Sequence, residues 1–467
     1  MRKIVVWGTG RWYQAHKKQL YIPGLAVEFL VDKQTEKQGQ FLDGWMIKAP
    51  NVVLSEHDLD IVIAVKNYGE VIEELEELGF KGNIYLIHEL LTEYIACNKD
   101  EILRNLPMPE NTGKSKPEII MDIMDGLGWA GSEIWSYQVA DILDNRGYDV
   151  VVWGDCSQQR LSSNFEKRTY RFARKEDFLV TFLEEVAQKL PCCYFSSFLG
   201  KGLECAIIAK RIFGEQFKLL QVIHCDLDWI YEKLPSLGSV VDEFVCVSSK
   251  IQRMCEEKNG LESNKISAHL ISYTVNDNLE KTYSLCKSQP IKIGWAGRLE
   301  KSQKRAEKLV TIIDELEENV GNYELHIAGI GECYSDIHHF IEMHSLQKKV
   351  ILRGMIPHEQ MKSFWEELDV YLNTSLYEGC SLAMLEAMSY GCVPVVTNVS
   401  GVSDVIKHGI NGIVTEIDNF KDIVQGIKKL EMDRNLLTEY GEKTVKQIME
   451  KCNTEKFSNY LENVINR

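Results

Sequence analysis

Residues 375–396 read SLYEGCSLAMLEAMSYGCVPVV, and the order of elements they impose decides the fold. An apolar strand over about 368–374 ends at Ser375, and a helix starts near Ser381, with Leu382, Leu385 and Met388 recurring at helical spacing. Gly391 stops that helix and the next strand begins at Pro394. A strand, a glycine turn, a helix and a second strand make a parallel α/β unit, in which ligands sit beyond the carboxyl ends of the strands. The amides of Gly379, Cys380, Ser381 and Leu382 then lie unpaired at a helix N-terminus, a natural seat for a diphosphate. Glu378 precedes the turn and Glu386 follows eight residues later. At about 1.5 Å per residue the two are at most about 12 Å apart, a span that lets one meet a sugar and the other a ribose across a diphosphate. Two glutamates at this spacing occur by chance in any acidic chain; the strand, turn and helix around them give the pair its meaning.

The same grammar recurs along the chain. KIVVW leads to GTGRW, IIMDIMD to GLGWAGSE, LLQVI to HCD, IKIGWA to GRL, YELHIA to GIGE, KVIL to RGM and DVYLNTS to LYEGC. Each is a strand-like run followed by glycine, a charge or histidine, which predicts nucleotide-type ligands in a cleft between parallel sheets. Arg298 and Lys304 follow IKIGWA and can reach one diphosphate, offsetting charge on a leaving group. A solvated loop is the plain account of two such cations taken alone. Gly329 and Gly331 of GIGE, with Gly354 and Met355 of RGM, are read as lining a base pocket through their backbone. Gly131, in the turn Gly128-Trp129-Ala130-Gly131 that opens a helix to about Arg146, lets backbone approach a phosphate or sugar closely. His224 ends the strand FKLLQVI and is expected to face the cleft.

Composition limits the rest. With 467 residues, 45% apolar and 9% aromatic, the chain can bury two or three cores. A net charge of −16 argues against nucleic-acid binding, which needs excess cations. Thirteen scattered cysteines, with no CxxC spacing, predict reduced thiols rather than disulfides or zinc. Asp226-Leu227-Asp228 spells a DxD triplet, but Asp58-Leu59-Asp60 repeats it, and no metal site is assigned. His326, His338, His339 and His344 lack ligand spacing and are read as a polar helix face. MRKIVVWGTG is neither a signal peptide nor a span, and no run reaches about 18 apolar residues, so a cytoplasmic location is expected, with peripheral membrane contact left open.

On these motifs, residues 118–460 resemble a family 4 (group 1) retaining glycosyltransferase, from GLGWAGSE through GRL, GIGE and EGCSLAMLEAMSYGCVPVV to HGINGIV. The resemblance implies the α/β GT-B fold: two Rossmann-like lobes with parallel sheets facing a cleft, here preceded by a small Rossmann-like domain. It implies that Glu378 contacts donor sugar hydroxyls, Glu386 the ribose, Arg298 and Lys304 the diphosphate, and His224 the sugar near the reacting carbon. It also implies a front-face mechanism without a protein nucleophile. The sequence departs from the family where Cys380, Ser381 and Ala383 replace Phe-Gly and Pro, and where the lysine sits six residues after Arg298, a slightly longer step than is common. Neither departure removes a charge, and both bear on donor choice.

The organisation that follows is a Rossmann-like nucleotide-binding or interaction domain over 1–105, a linker over 106–117 and an acceptor lobe over 118–287. A donor lobe covers 288–451, and a last helix within 452–467 returns to the acceptor lobe. The expected substrates are a UDP-, GDP- or ADP-sugar and a glycan, lipid-linked or small-molecule acceptor. The first domain carries IVVWGTGRW and Asp32 but has Tyr13 in place of the third glycine, so a protein-partner role is favoured there over NAD(P). A sugar-nucleotide epimerase, a phosphorylase and a non-catalytic partner subunit on the same fold stay open as alternatives.

Overall fold

The computed structural model describes residues 3–21, 25–54, 59–77, 79–87, 90, 99–100, 102–108, 116–126, 131–155, 169–172, 178–259, 261–273 and 281–467. Gly128, Trp129 and Ala130, and the centre of the linker, lie outside the described residues.

Three sheets carry the described residues. The first takes Lys3–Trp7 (β1), Ala26–Val31 (β2), Phe41–Leu42 (β3), Trp45–Lys48 (β4), Leu59–Ile63 (β5) and Ile84–Leu86 (β6), in the order β3-β4-β2-β1-β5-β6. It is parallel apart from the β3–β4 hairpin. The second holds Glu118–Asp122 (β7), Val150–Asp155 (β8), Thr169–Phe172 (β9), Cys192–Ser196 (β10), Phe217–Ile223 (β11), Glu243–Cys246 (β12) and Ile266–Ala268 (β13), ordered β13-β12-β11-β10-β7-β8-β9. The third holds Ile291–Ala296 (β14), Tyr323–Ala328 (β15), Val350–Gly354 (β16), Val370–Asn373 (β17), Val393–Thr397 (β18) and Ile413–Thr415 (β19), ordered β16-β15-β14-β17-β18-β19.

The strands of the last two sheets form because their residues are apolar almost without interruption: β10, β17 and β18 are buried at every position. Helices must therefore cover both faces, which is the condition for an all-parallel sheet. In both sheets the strand order reverses beside the first strand, between β7 and β10 and between β14 and β17. Such a reversal opens a crevice at the carboxyl ends of the strands. Of the seven strand ends singled out in the sequence, six belong to these two sheets and KIVVW to the first.

Residues 281–289 are docked on the third-sheet unit. Lys281 Nζ donates to the carbonyls of Trp365 (2.8 Å) and Glu366 (3.1 Å), Tyr283 OH to the carbonyl of Gly391 (3.0 Å), and the amide of Ser284 to Asp369 (2.9 Å). The chain then returns. After the helix Asn435–Lys451 on the third sheet, the helix Thr454–Asn466 lies on the second-sheet unit. Lys218 Nζ donates to the carbonyl of Ile465 (3.2 Å), Tyr460 OH meets Ser267 Oγ (2.9 Å), and Arg146 pairs with Glu455 (2.6 Å). Phe457, Leu461 and Val464 bury fully on its inner face.

One histidine differs from its sequence reading. His338 and the neighbouring His344 do belong to the helix region Tyr334–Met343, but His326 is a buried residue of β15. Its Nδ1 accepts from Arg353 Nε (3.1 Å), and burial, reinforced by that cation, holds its pKa below the ordinary histidine value. It is a strand-core histidine.

Candidate functional site

Three residues at the end of β17, Asn373, Thr374 and Ser375, are pinned by hydrogen bonds. The amide of Ser375 donates to Asn373 Oδ1 (2.8 Å), and Thr374 Oγ1 accepts from Trp295 Nε1 (3.1 Å) while donating to the carbonyl of Lys304 (2.7 Å). Glu378 follows, 5% exposed. Its Oε1 accepts from Lys304 Nζ (2.6 Å) and Ser375 Oγ (2.7 Å), and its Oε2 from Gln303 Nε2 (3.1 Å). Burial alone would lower the Lys304 pKa; the charge of Glu378 outweighs it and the net shift is upward, so Lys304 stays an ammonium. Arg298 Nη2 donates to Gln303 Oε1 (2.9 Å). Arg298, Lys304 and Glu378 thus meet in one network, with Gln303 between them.

The loop carrying the cations is built from inside. Glu300 Oε1 accepts from the amides of Gln303 (3.0 Å) and Lys304 (2.8 Å), and the carbonyl of Gln303 accepts from the amide of Leu376 (2.8 Å). A Cβ at Gly297 would lie 3.3 Å from Lys304 Cε, so the glycine leaves the lysine stem its path. The next residue, Arg305, holds a positive φ of 52° and is kept there by Asp418 (2.7 Å) and the ring of Phe420 (4.9 Å).

Ser381 caps the helix Leu382–Ser389 from an extended conformation, its hydroxyl 3.2 Å from Tyr371 OH. Among the described residues, the amides of Gly379, Cys380, Ser381 and Leu382 donate to no protein acceptor. Glu386, on the same helix, is held by Trp365 Nε1 at 3.1 Å, with His358 Nε2 at 3.9 Å from its other oxygen. Burial raises its pKa above the usual carboxylate value, against the pull of Trp365.

The second-sheet unit meets this turn directly. A Cβ on Gly379 would fall 1.9 Å from the carbonyl oxygen of His224, and one on Gly131 would lie 3.7 Å from Leu382 Cγ. The His224 ring stands edge-on to Trp135 (5.2 Å, 80°), and its Nε2 is buried with no hydrogen-bond partner among the described residues. Burial pulls its pKa down to about 3, so the ring is neutral at neutral pH. Because the folded value lies below the ordinary 6.5, the stability this supports is full above pH 6.5 and is lost as the pH falls through the window from 6.5 toward 3. Denaturation midpoints measured between pH 7 and 4.5 are expected to fall, and His224→Phe to flatten the slope by at most about 1.4 kcal/mol per pH unit. An unchanged slope in that variant would contradict the burial.

Asp226 of the DxD triplet is an interlobe clamp. Its carboxylate accepts from Tyr231 OH (2.8 Å), Ser400 Oγ (2.5 Å) and Lys250 Nζ (2.9 Å), and its amide donates to the carbonyl of Glu378 (3.2 Å).

At the start of the cation loop the turns after β14 and β15 run together. The amide of Gly297 donates to the carbonyl of Ala328 (3.1 Å), and that of Leu299 to the carbonyl of Ile330 (2.9 Å). Gly329 and Gly331 hold φ of 142° and 155°, and a Cβ on either would strike the backbone of Gly297 or Leu299. Gly354 (φ 64°) accepts from the amide of Gly329 at 2.7 Å, and Met355 beside it is 59% exposed.

In the first sheet the fingerprint carboxylate is occupied from within. Asp32 accepts from the amide and hydroxyl of Thr9, from Lys37 Nζ (3.2 Å) and from the amide of Gln34 (2.9 Å). Tyr13, in place of the third glycine, is fully buried and donates to Asp43 (2.8 Å).

Gln303, Ser375 and Trp365 were not singled out from the sequence. The longer step between Arg298 and Lys304 was the visible sign of the first; nothing in the pattern marks the other two.

Residues 280–447 match the family described as Glycosyl transferases group 1, and residues 1–84 one described as C2185-like, N-terminal. The phosphatidylinositol N-acetylglucosaminyltransferase GPI3 subunit of Saccharomyces cerevisiae is 28% identical over 211 residues, 43% of this chain and 45% of that protein. The lipopolysaccharide 1,6-galactosyltransferase of Salmonella typhimurium is 29% identical over 44% of this chain and 56% of its own length. The chain spans about half the length of these curated relatives. Anabaena HepE, solved in complex with UDP and glucose, superposes with a TM-score of 0.63 at 14% identity, over 75% of this chain and 99% of that one. TarM of S. aureus does so at 0.54 and 16% identity over the whole of both chains. These structural likenesses are of fold.

Proposed function

We propose, from the premise that residues 280–447 belong to the glycosyl transferases group 1 family within a chain of GT-B fold, that the protein is a retaining glycosyltransferase. It takes a nucleotide-diphosphate sugar and passes the sugar to a glycan, lipid-linked or small-molecule acceptor. The observation that carries this reading is the meeting of Arg298, Lys304 and Glu378 beside the amides of residues 379–382, which donate to no acceptor among the described residues. Two cations and a helix N-terminus there neutralise a departing diphosphate, while Glu378 and the neutral His224 face sugar hydroxyls. Glu386, held by Trp365, takes the ribose. The leaving phosphate itself accepts the acceptor proton, so the protein supplies position and electrostatic stabilisation.

The site requires no metal in this reading, and the Asp226 carboxylate is already engaged by Tyr231, Ser400 and Lys250. With Asp32 closed by Thr9 and Lys37, the first sheet serves a protein partner better than NAD(P). The Saccharomyces relative is itself named as a subunit, which supports a partner. No helix among the described residues is long and apolar enough to cross a membrane.

A thermal-shift screen of UDP-, GDP- and ADP-sugars should give a rise in melting temperature with one base. With that donor, Arg298→Ala and Glu386→Ala are each expected to lower kcat/KM by about 10²–10³ while the chain stays folded. Near-normal turnover in both variants would refute the assignment. Conversion of the donor to an epimeric sugar with no acceptor present would instead favour an epimerase, and an inverted anomer in the product would remove the retaining mechanism.

A further inference from the structure

The longer step from Arg298 to Lys304 has a physical product. It brings Gln303 into the site with its main chain fixed at three points: its amide on Glu300 (3.0 Å), its carbonyl on the amide of Leu376 (2.8 Å), and its neighbour Lys304 held through Thr374 (2.7 Å). Its side chain then spans two groups of opposite charge. The amide oxygen accepts from Arg298 (2.9 Å), and the amide nitrogen donates to Glu378 Oε2 (3.1 Å). That orientation is fixed by the partners, since a flipped amide would turn its oxygen on a carboxylate and its NH2 on a guanidinium.

We propose that Gln303 is a positioning residue for donor-sugar recognition. It holds the carboxylate that meets the sugar and the guanidinium that meets the diphosphate in one preset unit. The proposal rests on the donor reading above and deepens it. Glu378 Oε1 is shared by Lys304 and Ser375, and Lys304 must also face the incoming diphosphate. Gln303 is the donor on Oε2, and it carries no charge for the phosphate to compete over. The carboxylate therefore keeps its orientation when Lys304 divides its attention. The consequence is selective: Gln303 matters for the sugar more than for the nucleotide.

Calorimetric titration of the full chain tests this with UDP-glucose, UDP-N-acetylglucosamine, GDP-glucose and ADP-glucose, each beside its free nucleoside diphosphate. Gln303→Met keeps the length and removes both hydrogen bonds. It is expected to weaken the accepted nucleotide sugar roughly tenfold or more, the scale of a lost hydrogen bond to a charged group, and the matching diphosphate by a smaller factor, since Arg298 keeps its charge for the phosphate when it loses the neutral amide. Gln303→Glu keeps an acceptor for Arg298 but sets a second carboxylate against Glu378. Its deficit in sugar-nucleotide binding is expected to be larger at pH 8 than at pH 5.5, where one shared proton restores a hydrogen bond. Equal losses for sugar nucleotide and diphosphate, no loss for either, or a Gln303→Glu deficit that ignores pH overturns the proposal. Failure of the wild-type chain to bind any of these nucleotides overturns the donor reading first, and the role of Gln303 with it.

Discussion

Lys304→Met is expected to abolish transfer and to lower stability together. The variant removes the ammonium 2.6 Å from Glu378 Oε1 and leaves a carboxylate that is only 5% exposed and, among the described residues, held by Ser375 and Gln303 alone. Breaking a buried ion pair from one side costs about 3–5 kcal/mol, because the surviving charge stays out of water. In the proposed reaction the same change removes a cation from the diphosphate, for which a loss of about 10²–10³ in kcat/KM or more is expected. The two effects separate in the double variant Lys304→Met/Glu378→Gln. A neutral amide no longer needs the ammonium, so the melting temperature should recover while turnover stays lost. A single variant that transfers sugar at close to the wild-type rate would remove Lys304 from the chemistry.

Gly379→Ala is the second large effect, and its origin is steric. The added carbon would lie 1.9 Å from the carbonyl oxygen of His224, 2.6 Å from its carbonyl carbon and 2.8 Å from Val247 Cγ2. The first two atoms are backbone at the end of β11, which no rotamer change can withdraw. Either the two units part at this contact or the 378–381 turn is displaced, and both misplace Glu378 relative to His224. A shift of about 1 Å in such a constellation costs roughly 100-fold in rate. Because the clash lies between units and not within a core, the chain should still fold, with a modest fall in melting temperature. Adding Val247→Ala should not rescue turnover, since the carbonyl remains. Rescue by that second change would show the obstacle to be the valine.

The strand and helix bounds around residues 375–396 were legible because burial leaves a period. The strand falls at Val370–Asn373, the helix at Leu382–Ser389 behind the Ser381 cap, and Gly391 ends it with a φ of 77°. The cleft was legible too, since glycines and charges follow strand after strand. What the sequence could not give was pairing across long separations. Gln303 and Glu378 stand 75 residues apart, and Asp226 and Ser400 174 apart. Such contacts leave no trace in any local window. His326 failed for a different reason: YELHIA already reads as a strand that contains it, so its assignment to a helix face overlooked a local signal, and only its partner Arg353 lay outside the window. Asp32 kept the outline of a dinucleotide fingerprint, while its capture by Thr9 joins residues 23 apart.

The returning helix Thr454–Asn466 has a consequence for how the chain comes to be folded. Strands β7 to β13 are complete near residue 268, yet the surface that receives Phe457, Leu461 and Val464 waits nearly two hundred residues for its cover. During synthesis that greasy face stands bare while the third-sheet unit is still being made, a stretch in which chaperones or a neighbouring chain's helix could occupy it. Closure then ties the melting of one unit to the other, so calorimetry should record the pair as a single transition.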